Sequence, residues 1–197
     1  MKFTQIPTDT FQNLALNAGV MASDFTPETG TLAETDILGA TSGGLTVTCV
    51  PEFVDMGDDI DNCPKNTKEL KRIDDYTVTV SGTLVTTSAA VAKRLMAGAT
   101  IATDKITPSH TLNTASGGDF DDLWVIGDYS DKNGPTNGGF VACHIKNALS
   151  TGGFSYVTSD KEKAKFAFEF TGHYSINNPE DVPFEMYVHA GTAEPTT

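Results

Sequence analysis

The chain has 197 residues, a length typical of one domain, and its 26 acidic and 13 basic side chains give a formal net charge of −13. This charge argues against binding to nucleic-acid phosphates or to an anionic membrane, because both need clustered lysine and arginine. The sequence predicts no transmembrane helix and no signal peptide, and its three widely spaced cysteines predict reduced thiols.

Residues 1–43 show a weak pattern of apolar residues with several turn-rich stretches, which predicts an extended N-terminal arm with little core of its own. The first 62 residues also hold ten acidic side chains and one basic one. Such a segment is expected to lie against a partner, with Phe11, Leu14 and Phe25 as the contacts. Removal of residues 1–43 is then expected to leave a folded chain that does not assemble.

Residues 44–189 carry the pattern of a mainly β domain. Apolar and polar residues alternate in several stretches, which predicts strands at 45–50, 76–84, 123–127, 140–145, 165–174 and 184–188. Ser88 is a predicted N-cap of one helix within residues 88–98, which Gly98 can end. These elements predict an antiparallel β-sandwich or partial barrel with one flanking α-helix, followed by a flexible C-terminal tail at residues 190–197.

Residues 52–75 form a long inter-strand segment with an uneven charge pattern, which is typical of a functional loop. Its acidic and basic groups are Glu52, Asp55, Asp58, Asp59 and Asp61, followed by Lys65, Lys68, Lys71 and Arg72. An acidic half before a basic half suits a head-to-tail contact between identical subunits. Reversal of the four basic residues to Glu is then expected to block polymerisation without unfolding the subunit. The alternative interpretation is a solvated excursion whose two halves pair with each other.

Residue patterns that carry catalysis or bind metals are missing from the sequence. The aspartates after Asp55 lack the spacing of a calcium loop, and no histidine stands in metal-ligand spacing. His144 and His173 are interpreted as polar residues on exposed strand faces, and Asp121 and Asp122 as surface charges. The predictions are therefore no enzyme activity, no metal and no cofactor. Trp124 and the aromatic stripe at 166, 168 and 170 are predicted to belong to the core.

Several stretches resemble one protein family. Residues 11–20, 25–30 and 39–44 are similar to the N-terminal arm of major tail proteins of long-tailed phages and prophages of Gram-positive bacteria. The match is sharpest at DIDNCPKNTKELKR, residues 59–72, followed by Ser81-Gly82-Thr83. The resemblance covers roughly residues 11–98, and beyond them only the strand pattern agrees.

This resemblance implies a tail tube protein, a structural virion component that self-assembles into stacked hexameric rings and conducts the genome during ejection. Inner strands join into one barrel around a channel, while the long inter-ring loop and the arms reach neighbouring subunits. The implied partners are further copies of the chain and the tape measure, distal tail and tail terminator proteins, with assembly in the host cytoplasm. Double-stranded DNA passes without specific binding, and no cofactor or membrane is involved. The hypothetical lumen residues are Thr46, Thr48, Thr77, Thr79, Ser81 and Glu169.

Three other functions remain open from the sequence. The chain could be another virion protein of related fold, such as a distal tail or tail-completion protein or the tube of a contractile device. It could also be a secreted β-sandwich binding module, for example for carbohydrate. A metal-dependent hydrolase that uses the aspartate-rich loop is the weakest alternative, because the ligand spacing is missing.

Overall fold

The computed structural model describes residue 6 and residues 14–115, 118–128 and 138–191. Within these residues the fold is mainly β, and the predicted antiparallel β-sandwich with one flanking helix is confirmed. No described helix is long and apolar enough to cross a bilayer. The elements are β1 (Leu16–Ala22), β2 (Thr41–Asp55), β3 (Lys71–Leu84), α1 (Ala89–Leu95), β4 (Ala99–Ala102), β5 (Lys105–Pro108), β6 (Asp121–Asp128), β7 (Phe140–Ser150), β8 (Phe166–Thr171) and β9 (Phe184–His189).

The sandwich consists of two antiparallel sheets that share one long strand. Strands β1, β6, β7 and β9 form the first sheet, while β2, β3 and β8 form the second. The last two residues of β7, Leu149 and Ser150, leave the first sheet and pair with β8. Just before them Asn147 has a φ of 48°, and its backbone N–H donates to Asp122. The left-handed backbone conformation of Asn147 turns the strand at the corner of the partial barrel.

The main core lies between the two sheets and follows the predicted alternation. Val78 and Val80 of β3 are fully buried, and Phe166, Phe168 and Phe170 of β8 face the same way. The alternate residues of these strands point outward, because successive side chains of a strand lie on opposite faces. Helix α1 covers part of this core with three apolar residues, Val91, Ala92 and Leu95. As predicted, the Ser88 hydroxyl caps the helix by accepting from the Val91 N–H.

The N-terminal segment is a part of the sandwich from residue 16 onward, so the prediction of an arm that extends to residue 43 is wrong there. Strand β1 pairs with β6, and residues 41–43 already belong to β2. Phe25 is 6% exposed and packs edge-on against Trp124 and Phe140, with ring centroids 5.5 and 5.1 Å away. This second, smaller core covers the outer face of the first sheet.

A bulge explains why β1 is hard to predict from the sequence. Gly19 has a φ of 75°, and the pairing register shifts between Leu16 and Val20. The extra residue breaks the two-residue alternation that marks a strand. Leu14 is exposed and lies outside any regular element, while Phe11 lies outside the described residues.

The predicted long loop at residues 52–75 is shorter in the structure. Strand β2 continues to Asp55 and β3 begins at Lys71, so only residues 56–70 lie outside the strands. Of the predicted C-terminal tail, residues 190 and 191 are without regular structure, and residues 192–197 lie outside the described range.

Candidate functional site

The outer face of the second sheet carries all six residues predicted from the resemblance to line a channel. Thr46 is paired with Ser81, Thr48 with Thr79, and Ser81 with Glu169. Two side-chain hydrogen bonds connect these strands, because the Thr48 and Thr79 hydroxyls lie 2.6 Å apart and the Thr77 hydroxyl donates to the Glu52 carboxylate at 2.7 Å. The structure thus brings the six residues together into one surface, which we call the hydroxyl face.

The charged side chains at the strand positions of the hydroxyl face are all negative. Its strand positions are 46, 48, 50 and 52 of β2, 77, 79, 81 and 83 of β3, and 167, 169 and 171 of β8. Glu52 and Glu169 are the charged residues at these positions, and none of the positions holds lysine or arginine. Such a surface has no cation that could hold a phosphate group.

The ends of β2 and β3 form a two-stranded ribbon, residues 50–55 and 71–77, because β8 pairs with β3 only from Thr79 onward. The ribbon exposes large apolar side chains in the free chain. More than half of the side chain of Phe53 is accessible, as is half of that of Ile73, and Val50 and Val54 are also exposed. Phe53 and Ile73 stand opposite each other in the strand register, whereas Val54 points to the other face of the ribbon. An isolated two-stranded ribbon is at best marginally stable, so these exposed side chains mark a candidate contact site.

Residues 56–70 form the hairpin tip, which is held by the carboxylate of Asp55. Its two oxygens accept from the backbone N–H groups of Gly57 and Asn66, each at 2.9 Å. These bonds lower the pKa of Asp55. Further along, Thr67 donates to the carbonyl of Pro64 at 2.7 Å. The tip is therefore a preformed turn structure.

The acidic and basic halves of the tip do not pair with each other within the described chain. Asp58, Asp59 and Asp61 make no ion pair there, and Lys68 reaches only its neighbour Glu69 at 3.5 Å. Outside the tip the two halves of residues 52–75 do meet, because Asp55 stands opposite Lys71 in the strand register and the charges of Lys71 and Lys65 add to the backbone hydrogen bonds that lower the pKa of Asp55. The alternative interpretation of halves that pair with each other therefore stays a prediction. Three basic residues of the predicted contact, Lys65, Lys68 and Arg72, are exposed.

Lys71 has a different environment, because its ammonium group lies 4.9 Å from the centroid of the Phe53 ring and donates to Asn66. A four-residue reversal that includes Lys71 would therefore disturb the tip itself as well as its surface charge.

The basic residues of the helix are paired with carboxylates on the loop and strand that follow. Lys93 lies 3.7 Å from Asp119, and Arg94 lies 3.1 Å from Asp121. Asp121 is thus a partly exposed surface charge that is ion-paired, and Asp122 beside it is exposed. These ion pairs fasten α1 to the start of β6.

His144 is part of a polar cluster, so its interpretation as an exposed strand residue is wrong. The imidazole stacks on Trp124 with ring centroids 4.0 Å apart, and 13% of the side chain is exposed. Its Nε2 lies 3.0 Å from Asp122 and its Nδ1 lies 3.4 Å from Glu185. Strand register produces the cluster, because His144 stands opposite both Trp124 and Glu185.

Glu185 is the centre of the hydrogen bonds in this cluster. Lys146 contacts one carboxylate oxygen at 2.6 Å, and the Tyr187 hydroxyl donates to the other at 2.7 Å. These bonds, with the one to His144, lower the pKa of Glu185 to about 2. The same contacts raise the pKa values of Lys146 and Tyr187, and the bond to His144 lowers that of Asp122.

The chemistry that this cluster can support is limited by its own contacts. Each ring nitrogen of His144 already lies beside a carboxylate, so neither is directed at a nucleophile in the described structure. The cluster instead ties β9 to β7 and β6. His173 is likewise partly buried, with its ring nitrogen 3.2 Å from the carbonyl oxygen of Asn147.

The described residues hold no cluster of metal-ligating side chains, and two of the three cysteine thiols are shifted away from the reactive thiolate form. No group of three or more histidine, cysteine, aspartate or glutamate side chains there is placed to hold a metal ion. Burial raises the pKa values of Cys49 and Cys143, which keeps these thiols protonated.

The exposed apolar side chains of the ribbon and tip are the residues that sequence reasoning missed. Phe53 and Val54 are consecutive on β2 and both exposed, and Met56 and Ile60 of the tip are exposed as well. The signal was available, because these apolar residues stand among the charges of residues 52–75. The charge pattern of residues 52–75 alone does not predict these apolar contacts.

In comparisons with known proteins, no protein-family model matches the chain, and no curated protein is significantly similar to it.

Proposed function

We propose that the chain is the structural subunit of a phage tail tube, which assembles with its own copies into stacked hexameric rings. The observation that carries the proposal is the hydroxyl face, a sheet surface of hydroxyl and carboxylate groups without a cation. The resemblance of residues 11–98 to major tail proteins supports the same function. The tube then serves as the conduit for the genome in the virion tail.

Ring formation uses the two open edges of the second sheet. Strand β2 pairs with β3 on one side only, and β8 pairs with β7 only at Phe170 and Thr171. The Glu169 carbonyl also accepts from the N–H groups of Thr151 and Gly152, so the open edge of β8 is residues 166–168. Long unpaired edges are a hazard unless another strand covers them. When β2 of one subunit pairs with β8 of the next, both edges are covered and the sheets join into a closed barrel. Such a heterologous contact generates a ring if the rotation closes.

The hydroxyl face lines the channel in this arrangement, because the opposite face of the same sheet is occupied by the core. Its carboxylates repel the DNA phosphates only at short range, since the Debye length is about 8 Å at physiological salt. A cationic wall would exchange counterions with the DNA and hold it. The hydroxyl and carboxylate surface instead lets the duplex slide past.

The test is negative-stain microscopy of the purified protein across a concentration series, with light scattering on the same samples. We expect rings and hollow tubes that grow with concentration. Single rings or caps without stacking would favour a distal tail or tail-completion protein. Monodisperse monomers at every concentration, with and without a tail-tip complex to start growth, would contradict the tube and favour a binding module.

A further inference from the structure

The hairpin tip and the loop between β7 and β8 are exposed surfaces with matching chemistry. We infer that the tip of one copy docks on residues 151–165 of a second copy. This inference deepens the proposed function and rests on it, since it names the surface that receives the tip when rings stack. It is argued from the apolar side chains, the charges and the positions of the two surfaces.

The first half of the tip, residues 56–61, presents two apolar side chains among carboxylates, whereas Lys65 and Lys68 lie in its second half. More than half of the side chains of Met56 and Ile60 are accessible. Asp58, Asp59 and Asp61 stand around them and make no ion pair within the described chain, and residues 56–61 hold no basic side chain. A partner for this surface needs an apolar patch that is flanked by cations.

The β7–β8 loop, residues 151–165, offers such a surface. Phe154, Tyr156 and Val157 are exposed, and the first two pack on Phe166 with ring centroids 6.1 and 4.9 Å away. An antiparallel bridge between Val157 and Lys165 closes the loop. Its apolar residues therefore stand on a base that is fixed to the core.

Cations are concentrated on the same loop. It holds the three basic residues Lys161, Lys163 and Lys165 and two acidic ones, Asp160 and Glu162, in a chain with a net charge of −13. The pairs within the loop are long and exposed, at 4.0 Å for Lys161 with Asp160 and 3.8 Å for Lys165 with Glu162. Exposed pairs of this kind contribute little, so the lysines remain free to meet a partner.

The other basic side chains of the described residues outside the tip are less suited to receive it. Lys93 and Arg94 are held by Asp119 and Asp121, and Lys146 is held by Asp181 and Glu185. Lys71 and Arg72 lie on the ribbon beside the tip itself, and Lys105 is a single lysine on β5. The β7–β8 loop is thus the largest group of cations in the described chain outside the tip.

The tip and the loop lie at opposite ends of the second sheet. The tip joins β3 at Lys71, whereas the loop enters β8 at Phe166, which pairs with Leu84 at the other end of β3. The two ends are separated by roughly 40 Å at the usual rise of a strand. A chain cannot fold its tip onto its own loop across this distance, but a second copy placed end to end can. A contact between opposite ends of two copies is heterologous, and when it repeats without closing it stacks copies along the strand direction.

Charge reversal with rescue tests the contact in the full-length chain. The tip variant carries Asp58→Lys, Asp59→Lys and Asp61→Lys, and the loop variant carries Lys161→Glu, Lys163→Glu and Lys165→Glu. We expect each variant to raise the concentration needed for stacking at least about tenfold, because like charges then face each other. Both sets in one chain should restore stacking, since the charges are again opposite.

A matched control separates this contact from an effect of net charge. Glu34→Lys, Asp104→Lys and Glu180→Lys change three exposed acidic residues and alter the net charge as much as the tip variant does. We expect this control to stack. Combined with the loop variant it restores the net charge of the wild type without restoring the contact, so that chain should not stack.

A mixed disulfide reports the contact directly. Copies with Ile60→Cys and Cys63→Ser are mixed with copies that carry Val157→Cys and Cys63→Ser, and a mild oxidant is added. The expected product is a disulfide-linked dimer of the two variants. This inference is overturned if the wild type forms tubes, both charge-reversed variants stack as well as the wild type does, and the cysteine variants form no cross-link. The proposed tube would survive that result. If the wild type forms no tubes and the two cysteine variants form no cross-link, both the inference and the proposed function are overturned.

Discussion

Phe25 and Phe53 are the same residue type in opposite environments, which separates a folding contact from an assembly contact. The side chain of Phe25 is 6% exposed and that of Phe53 is 55% exposed. We expect Phe25→Ala to destabilise the fold by about 3 to 5 kcal/mol, because it removes the aromatic contacts with Trp124 and Phe140. Phe53→Ala should cost less than about 1 kcal/mol but weaken assembly.

Chemical denaturation of the two variants measures the free energy of unfolding, and light scattering of the folded variants measures assembly. If Phe25→Ala leaves stability unchanged and blocks only assembly, Phe25 is a contact of an N-terminal arm after all.

The buried position of Phe25 also argues against the expectation that removal of residues 1–43 leaves a folded subunit. That deletion takes away β1 and the buried residues Met21, Ala22 and Phe25.

Strand β9 is the element that the carboxylate of Glu185 secures. The pKa of Glu185 is lower in the folded chain, about 2 against its usual 4.5. Its contribution to stability is therefore fully present above pH 4.5 and is lost as the pH falls through about 2. At pH 7 we expect Glu185→Gln to cost about 1 to 2 kcal/mol, a value reduced by solvent screening because the side chain is 39% exposed.

The measurement is urea unfolding of wild type and Glu185→Gln between pH 7 and pH 2.5. The difference in the free energy of unfolding should shrink as the pH falls below 4.5. Glu180→Gln is the matched control, because Glu180 is exposed and makes no ion pair within the described chain. A difference that stays constant over this pH range would show that the hydrogen bonds of Glu185 do not depend on its charge.

The elements that the sequence predicts well are those with one buried face. In β3 and β8 each second side chain is buried, so Val78, Val80, Phe168 and Phe170 mark their strands by alternation alone. The ribbon extends β2 and β3 beyond the sandwich, where neither face is buried, and its strands therefore carry no such pattern. Strand β1 is hidden by the bulge at Gly19.

The side-chain clusters depend on pairings that are distant in sequence. His144 meets Trp124 and Glu185 only because β7 lies between β6 and β9 in a fixed register. No local pattern around residue 144 contains this information. The hydroxyl face was accessible to prediction, because its residues alternate with core residues within each strand.

At the scale of the whole molecule, a single cation on the hydroxyl face should make the channel of the proposed tube retain DNA. Glu169 lies on this face and accepts from the Thr151 hydroxyl at 3.5 Å. Glu169→Lys repeats its new charge in every subunit, so each ring gains a set of phosphate contacts. Tubes assembled in the presence of short double-stranded DNA should then retain it at low salt and release it steeply as salt rises.

Glu180→Lys makes the same change of charge at an exposed position on the connection between β8 and β9, and its tubes should not retain the DNA. Co-sedimentation of DNA with tubes of the wild type and the two variants, at low and physiological salt, gives the comparison. Equal retention by both variants would mean that DNA responds to net charge, and the hydroxyl face would then have no special position. Retention by Glu169→Lys alone would identify the face that meets the duplex, because the two variants have identical net charge and differ only in where the lysine stands.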